Sequence, residues 1–167
     1  NNSAESVSAT INALGQVMVS LASGDFSARM QGDIKGDFRK QVDDAMSAME
    51  VVLGEIGQVM QALAQGRFNK RISVELHGDL NYLKQNIKHS MDALEQAVQE
   101  ITQVASAMSE GDLTQTMSND YEGELNNIAL ALNGTSISVA GIVGDVRTMA
   151  QQVRRGADEI ARGARPH

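Results

Sequence analysis

The most informative segment of the chain reads Gly66-Arg67-Phe68-Asn69-Lys70-Arg71-Ile72-Ser73-Val74-Glu75-Leu76-His77-Gly78-Asp79-Leu80. The same pattern occurs earlier, from Gly24 to Phe38, and later, from Gly111 to Leu125. In each copy a glycine is followed twelve residues later by a second glycine, an acidic residue and a large apolar residue. Because the sequence between these segments has helical periodicity, we predict three copies of a helix, a connector and a helix.

Two apolar side chains recur inside each connector, two and six residues after its first glycine. They are Phe26 and Met30, Phe68 and Ile72, and Leu113 and Met117. Such regular placement in three copies favours residues that pin the connector to the helices over chance hydrophobic residues in a floppy loop. We therefore expect these six side chains to act as clamps.

Glycines and acidic residues mark where the helices should end and begin. Gly24, Gly66 and Gly111 each follow a periodic apolar run, where glycine can take the left-handed conformation that ends a helix. The next helix is predicted to open with an acidic residue, which the positive end of the helix dipole favours, and an apolar residue. These pairs are Asp37 and Phe38, Asp79 and Leu80, and Glu124 and Leu125.

Apolar residues before each connector recur with spacings of three and four, the a and d pattern of a coiled coil. They are Ile11, Leu14, Met18 and Leu21; Leu53, Ile56, Met60 and Leu63; and Val98, Ile101, Ala105 and Met108. A valine seven residues before each connector glycine (Val17, Val59, Val104) widens the apolar stripe. A wider stripe predicts that each helix packs against two neighbours, as in a four-helix bundle.

Connector length decides between parallel and antiparallel helices. A helix of about 16 residues rises about 24 Å, and twelve extended residues reach roughly 40 Å. An antiparallel hairpin would need a loop of only about 2–5 residues. We therefore expect the helices in each copy to be parallel, with a second chain completing four helices around a two-fold axis.

The predicted fold is all-α, with three stacked parallel four-helix coiled-coil modules formed by a homodimer and continuous helices joining the modules. The expected boundaries are residues 8–53, 54–97 and 98–146 for the three repeats, 147–163 for the start of an output signalling helix, and 164–167 for a non-native tail. Met49 and Leu53 are successive a positions four residues apart, a stutter that locally unwinds a supercoil. Either the first two repeats differ in helical phase, or this spacing is ordinary sequence noise.

Composition excludes several classes of function. The net charge of −7, without a long basic run, argues against nucleic acid or an anionic membrane surface as the main partner. The absence of cysteine excludes disulfides and fits a reducing compartment. We also expect no apolar run of the roughly 18–20 residues that a bilayer crossing requires.

No catalytic, cofactor-binding or metal-binding residue is predicted. His77 and His89 are expected at the surface, and His167 lies in the expected tail. Asp43 and Asp44 are most simply a solvated helix face, without a nucleophile or metal-ligand spacing nearby. An enzyme is therefore the least favoured class.

The connector pattern resembles that of HAMP domains, the relay modules of bacterial chemoreceptors and sensor kinases. The segment from Val153 to Gly163 resembles the entry to the signalling helix of methyl-accepting chemotaxis receptors. The resemblance implies a cytoplasmic tandem HAMP array, whose partners are a second copy of the chain and the upstream sensor and downstream signalling domains of the same protein. The alternatives are the HAMP array of a sensor histidine kinase and a static dimeric coiled-coil spacer.

Overall fold

A computed structural model describes residues 2–164, and its regular structure there is entirely helical. The helices are α1 (Asn2–Ala22), α2 (Phe38–Ala64), α3 (Gly78–Ser109) and α4 (Gly123–Gly163). Three connectors, residues 23–37, 65–77 and 110–122, join them. The all-α prediction is confirmed, whereas His167 and most of the expected tail lie outside the described residues.

Helices α2 and α3 each run without interruption from one connector to the next, as predicted for the continuous helices that join the repeats. Met49 and Leu53, the predicted stutter, lie inside α2. Gly54 and Gly57 follow directly, and each destabilises a helix by up to about 1 kcal/mol relative to Ala. The helix nevertheless continues through both, because apolar residues on either side, such as Val52 and Val59, are buried.

The chain forms two compact units, Asn1–Lys88 and His89–His167. In each unit a core cluster combines one helix, a connector and the following helix. The cluster of the first unit contains Ala13, Val17, Met30, Ile34 and Met46. The cluster of the second contains Ala97, Val104, Met117, Tyr121 and Ala129.

The residues of the predicted apolar stripe differ in burial within one chain. The valine seven residues before each connector glycine is at most 2% exposed, at Val17, Val59 and Val104. In contrast, Ile11 is 62% exposed and Met18 is 51% exposed. One chain thus covers only one side of its apolar stripe.

Among the described residues, helix α4 has the length and the apolar composition needed to cross a membrane. This finding corrects the expectation that no apolar stretch reaches that length. The residues from Leu125 to Gly144 include no charged side chain, although asparagine, serine and glycine interrupt the stretch. Ala129 and Ser136 are its buried residues.

Candidate functional site

The three connectors leave the preceding helix through the same backbone motif. Gly24, Gly66 and Gly111 have positive φ angles of 84°, 75° and 87°. At the first, the Gly24 N–H donates to Leu21 O at 3.0 Å and the next N–H donates to Ser20 O at 2.9 Å. The equivalent bonds recur at the other two connectors. This pattern is a Schellman motif, in which glycine takes the left-handed conformation at no steric cost.

The first connector runs back along α1. Asp33 and Lys35 line the same cavity as Val7 and Ile11, which lie about three to four helical turns before the end of α1. Helix α2 begins soon afterwards, at Phe38. Glu50, about three turns further along α2, pairs with Arg29, which follows α1 by only a few residues, so α2 points the same way as α1. This course agrees with the return path expected from connector length.

The sixth residue after each connector glycine is buried, and the second residue is half-buried. Met30 is 1% exposed, Ile72 is 7% exposed and Met117 is 3% exposed. The other three predicted clamps, which share intermediate burial, are Phe26, Phe68 and Leu113. The structure therefore places the six residues at two depths, with the sixth position closest to the core.

A third apolar position, ten residues after the glycine, was not predicted. Ile34 and Tyr121 are each 8% exposed, and Leu76 is half-buried. These residues occupy the same position in all three connectors, so their alignment was the signal that could have revealed them.

A glutamate eleven residues before the glycine binds the second connector, and this role was also missed. Glu55 Oε1 accepts from the Ser73 hydroxyl at 2.7 Å. Its Oε2 accepts from the N–H groups of Ser73 and Val74 at 3.0 and 3.1 Å. The Ser73 hydroxyl, more than any other group, holds the pKa of Glu55 below its ordinary value. The second connector thus returns to the middle of α2.

The third connector has the same arrangement. Glu100, also eleven residues before its glycine, accepts from the Ser118 N–H at 3.3 Å and from the Tyr121 hydroxyl. The Tyr121 hydroxyl is the main group that lowers the pKa of Glu100. Burial, followed by the bond to Glu100, raises the pKa of Tyr121 to about 12.

The first connector is held by α2 instead. Asp43 Oδ1 accepts from the Met30 N–H at 2.9 Å, and Arg39 donates to Met30 O at 2.7 Å. Arg29 extends to the Glu50 carboxylate at 3.1 Å. These contacts fix the backbone at the buried Met30. The α2 residues Arg39, Asp43 and Glu50 therefore help to hold the connector against the helix.

The following helix also holds the other two connectors. Lys84 of α3 donates to Val74 O at 2.8 Å. Asn133 of α4 accepts from the Met117 N–H at 2.8 Å and donates to Met117 O at 3.1 Å. Asn133 therefore satisfies both backbone groups of the buried clamp residue.

The predicted second-helix starts fall within one residue of the observed ones. Asp37 is the N-cap of α2, without a side-chain cap hydrogen bond, rather than a first-turn residue. Asp79 and Glu124 do lie in the first turns of α3 and α4. The apolar partners that follow them differ in burial: Phe38 is exposed, while Leu80 and Leu125 are half-buried.

The described residues contain no group of three or more His, Asp or Glu side chains that could hold a metal ion. His77 and His89 are exposed. The recurring polar groups are instead bonded to connector backbone, which makes the connectors the candidate functional site.

Comparison with known proteins gives one family match. Residues 86–140 match the family model described as HAMP domain. Neither the curated proteins nor the solved structures include a significant match. The matched residues include most of α3, the whole third connector and the first part of α4. A HAMP domain is therefore present at residues 86–140 of this chain.

Proposed function

We propose that the chain is a tandem array of three HAMP repeats, at residues 8–53, 54–97 and 98–146, that relays a signal in a bacterial chemoreceptor. The observation that carries this proposal is the common construction of the connectors. All three have a positive-φ glycine at the helix end and an apolar side chain buried six residues later. The matched HAMP domain contains only the third of them.

Smaller features support the equivalence of the first two connectors to the third. Asp25 accepts the Ser27 N–H at 3.0 Å, just as Asp112 accepts the Thr114 N–H at 2.9 Å. The first and second connectors each have an arginine five residues after the glycine, and the two arginines make the same bond. Arg29 donates to Phe26 O at 2.7 Å, and Arg71 donates to Phe68 O at 2.6 Å. Each connector thus repeats local bonds found in another.

The array is proposed to be a parallel homodimer. Ile11, Met18 and Met60 are predicted core residues that are 62%, 51% and 43% exposed in a single chain. Burying such side chains contributes roughly 1.5–3 kcal/mol each. A second copy in the same orientation would bring the same stripe against them and complete a four-helix bundle in each repeat.

The proposed mechanism is a shift between two packings of the bundle. The six clamps hold one packing, and the stutter at Met49 and Leu53 sets the phase of the second repeat relative to the first. The output is carried along residues 147–163, which continue the apolar heptad through Val153 and Ile160, 73% and 75% exposed. We place the array on the cytoplasmic side, the location that the HAMP match implies. The bond of Asn133 to connector backbone argues that the uncharged part of α4 packs on the connector instead of crossing a membrane. The array has no enzymatic activity in this proposal.

Cysteine crosslinking tests whether the array is a relay. Leu63 and Ile87 are replaced by cysteine in the array fused between a sensor and its output domain, and disulfide formation is measured with and without stimulus. A relay requires the crosslinking rate to change on stimulation, whereas a static dimeric spacer gives the same rate in both conditions. Sequencing the gene beyond the codon of His167 distinguishes the proposed chemoreceptor from the alternative, a sensor histidine kinase.

A further inference from the structure

Two positions on the helices and connectors change together between the three segments. Eleven residues before the connector glycine, the second and third segments have Glu55 and Glu100, and the first has Ala13. Seven residues after the glycine, the second and third have Ser73 and Ser118, and the first has Gln31. Glutamate and serine therefore occur together in two segments and are both replaced in the first.

The glutamates connect each of these connectors to the helix before it. Glu55 bonds both N–H groups of the Ser73–Val74 pair, while Lys84 holds Val74 O from the other side. In the third segment Glu100 holds Ser118 from the preceding helix, and the following helix contributes a separate contact at Met117. Both connectors are thus bonded to two helices.

The first connector has no such acceptor at the equivalent level of α1, because the Ala13 side chain carries no polar atom. Ala13 instead contributes to the apolar core with Met30. The backbone N–H and carbonyl of Met30 are bonded to Asp43 and Arg39, which both lie within α2. Apolar contact with α1 allows sliding, whereas hydrogen bonds to α2 fix position and direction.

Resting on the relay function proposed above, we propose that Glu55 and Glu100 are positioning residues that couple the second and third connectors to the preceding helix. At the first connector this coupling is missing, so that the connector follows α2. A displacement of α1 relative to the first connector then breaks no hydrogen bond between a glutamate and the connector backbone. In the later segments the preceding helix carries its connector along, which preserves the packing from one repeat to the next.

Amide hydrogen exchange of the full 167-residue chain tests this coupling. In E55A we expect the Ser73 and Val74 amides to exchange at least about tenfold faster, because both lose a charged acceptor. The Met30 amide, bonded to Asp43, keeps its wild-type rate. The matched control is Gln58→Ala, an exposed position on the same helix. Equal rates in E55A and the control overturn the proposal.

The third connector provides an independent repetition of the experiment. E100A is expected to accelerate exchange of the Ser118 amide, with Gln99→Ala as its exposed control on α3. E55Q and E100Q, which keep one oxygen acceptor, should restore part of the protection. A merely structural loss would accelerate exchange throughout the unit rather than at the bonded amides, and that result also overturns the proposal.

Introducing the glutamate and serine of the later segments into the first segment should protect its connector amides from hydrogen exchange. The double substitution A13E/Q31S should slow exchange of the amides at positions 31 and 32, the equivalents of Ser73 and Val74. The loss variants decide the proposal even where this core substitution prevents folding. None of these exchange rates depends on a sensor or output domain. If the relay function fails, the expected rates stay unchanged, so its failure is distinguishable from failure of the coupling proposed for Glu55 and Glu100.

Discussion

At the residue scale, glycine is required at the connector entrance by backbone conformation rather than by space. Apart from Gly66 itself and its two chain neighbours, no residue has an atom within 4 Å of the position that a Cβ would take at Gly66, yet its φ is +75°. The sequence revealed these glycines because each follows an apolar run. It did not reveal Glu55 and Glu100, because a single glutamate on a helix resembles a solvated surface residue until its partner on the connector is known.

Gly66→Ala is expected to lower the free energy of unfolding by about 1–2 kcal/mol, the cost of an L-residue in the left-handed region. The matched control is Gly54→Ala, which lies inside α2 and should raise stability by up to about 1 kcal/mol. Urea unfolding of both variants measures the difference. The same change in both would show that the connector conformation does not need glycine.

The lowered pKa of Glu100 predicts a pH-dependent contribution to stability. The ordinary value is 4.5, and the folded-state value is lower because of Tyr121. The carboxylate therefore stabilises the fold above about pH 4.5, and this contribution is lost as pH falls through the folded-state pKa. The stability difference between wild type and E100Q should shrink over that range. A difference that is constant from pH 7 to below the folded-state pKa would contradict the assigned bond.

At the element scale, the helices were predictable because their apolar period is regular, and the connectors because their pattern occurs three times. Two details were not. Asp37 is the N-cap rather than a first-turn residue, because α2 begins one residue later, at Phe38, than the sequence pattern predicted. The uncharged part of α4 was overlooked because asparagine and glycine interrupt its apolar residues.

Shortening a buried connector clamp should destabilise the unit that contains it. Met117→Ala removes a side chain that is 3% exposed and is expected to lower the free energy of unfolding by about 2–5 kcal/mol. Val19→Ala, at a side chain that is 72% exposed, should change it by less than about 0.5 kcal/mol. Chemical denaturation at one protein concentration compares the two. Similar values would mean that Met117 does not hold the connector.

At the scale of the whole molecule, one chain does not bury the stripe that its sequence predicts. The predicted apolar stripe of α1 includes both Ile11 and Val17, yet they are 62% and 2% exposed. Sequence periodicity identifies a buried face but not which chain buries it. The proposed homodimer accounts for the difference, and it predicts a solution mass of about twice 17.9 kDa. A monomeric mass at micromolar concentration would contradict it.

The most direct test of a parallel array of three repeats is disulfide formation by single cysteines at the equivalent positions Ile11, Leu53 and Val98, which are 62%, 43% and 39% exposed. The chain has no cysteine of its own, so each disulfide must join the introduced residue to its copy in a second chain. The account predicts crosslinked dimers at all three positions and none with cysteine at the exposed Gln58 or Gln99. Crosslinking at Val98 alone would contradict it, because only the third segment would then pair as a HAMP module.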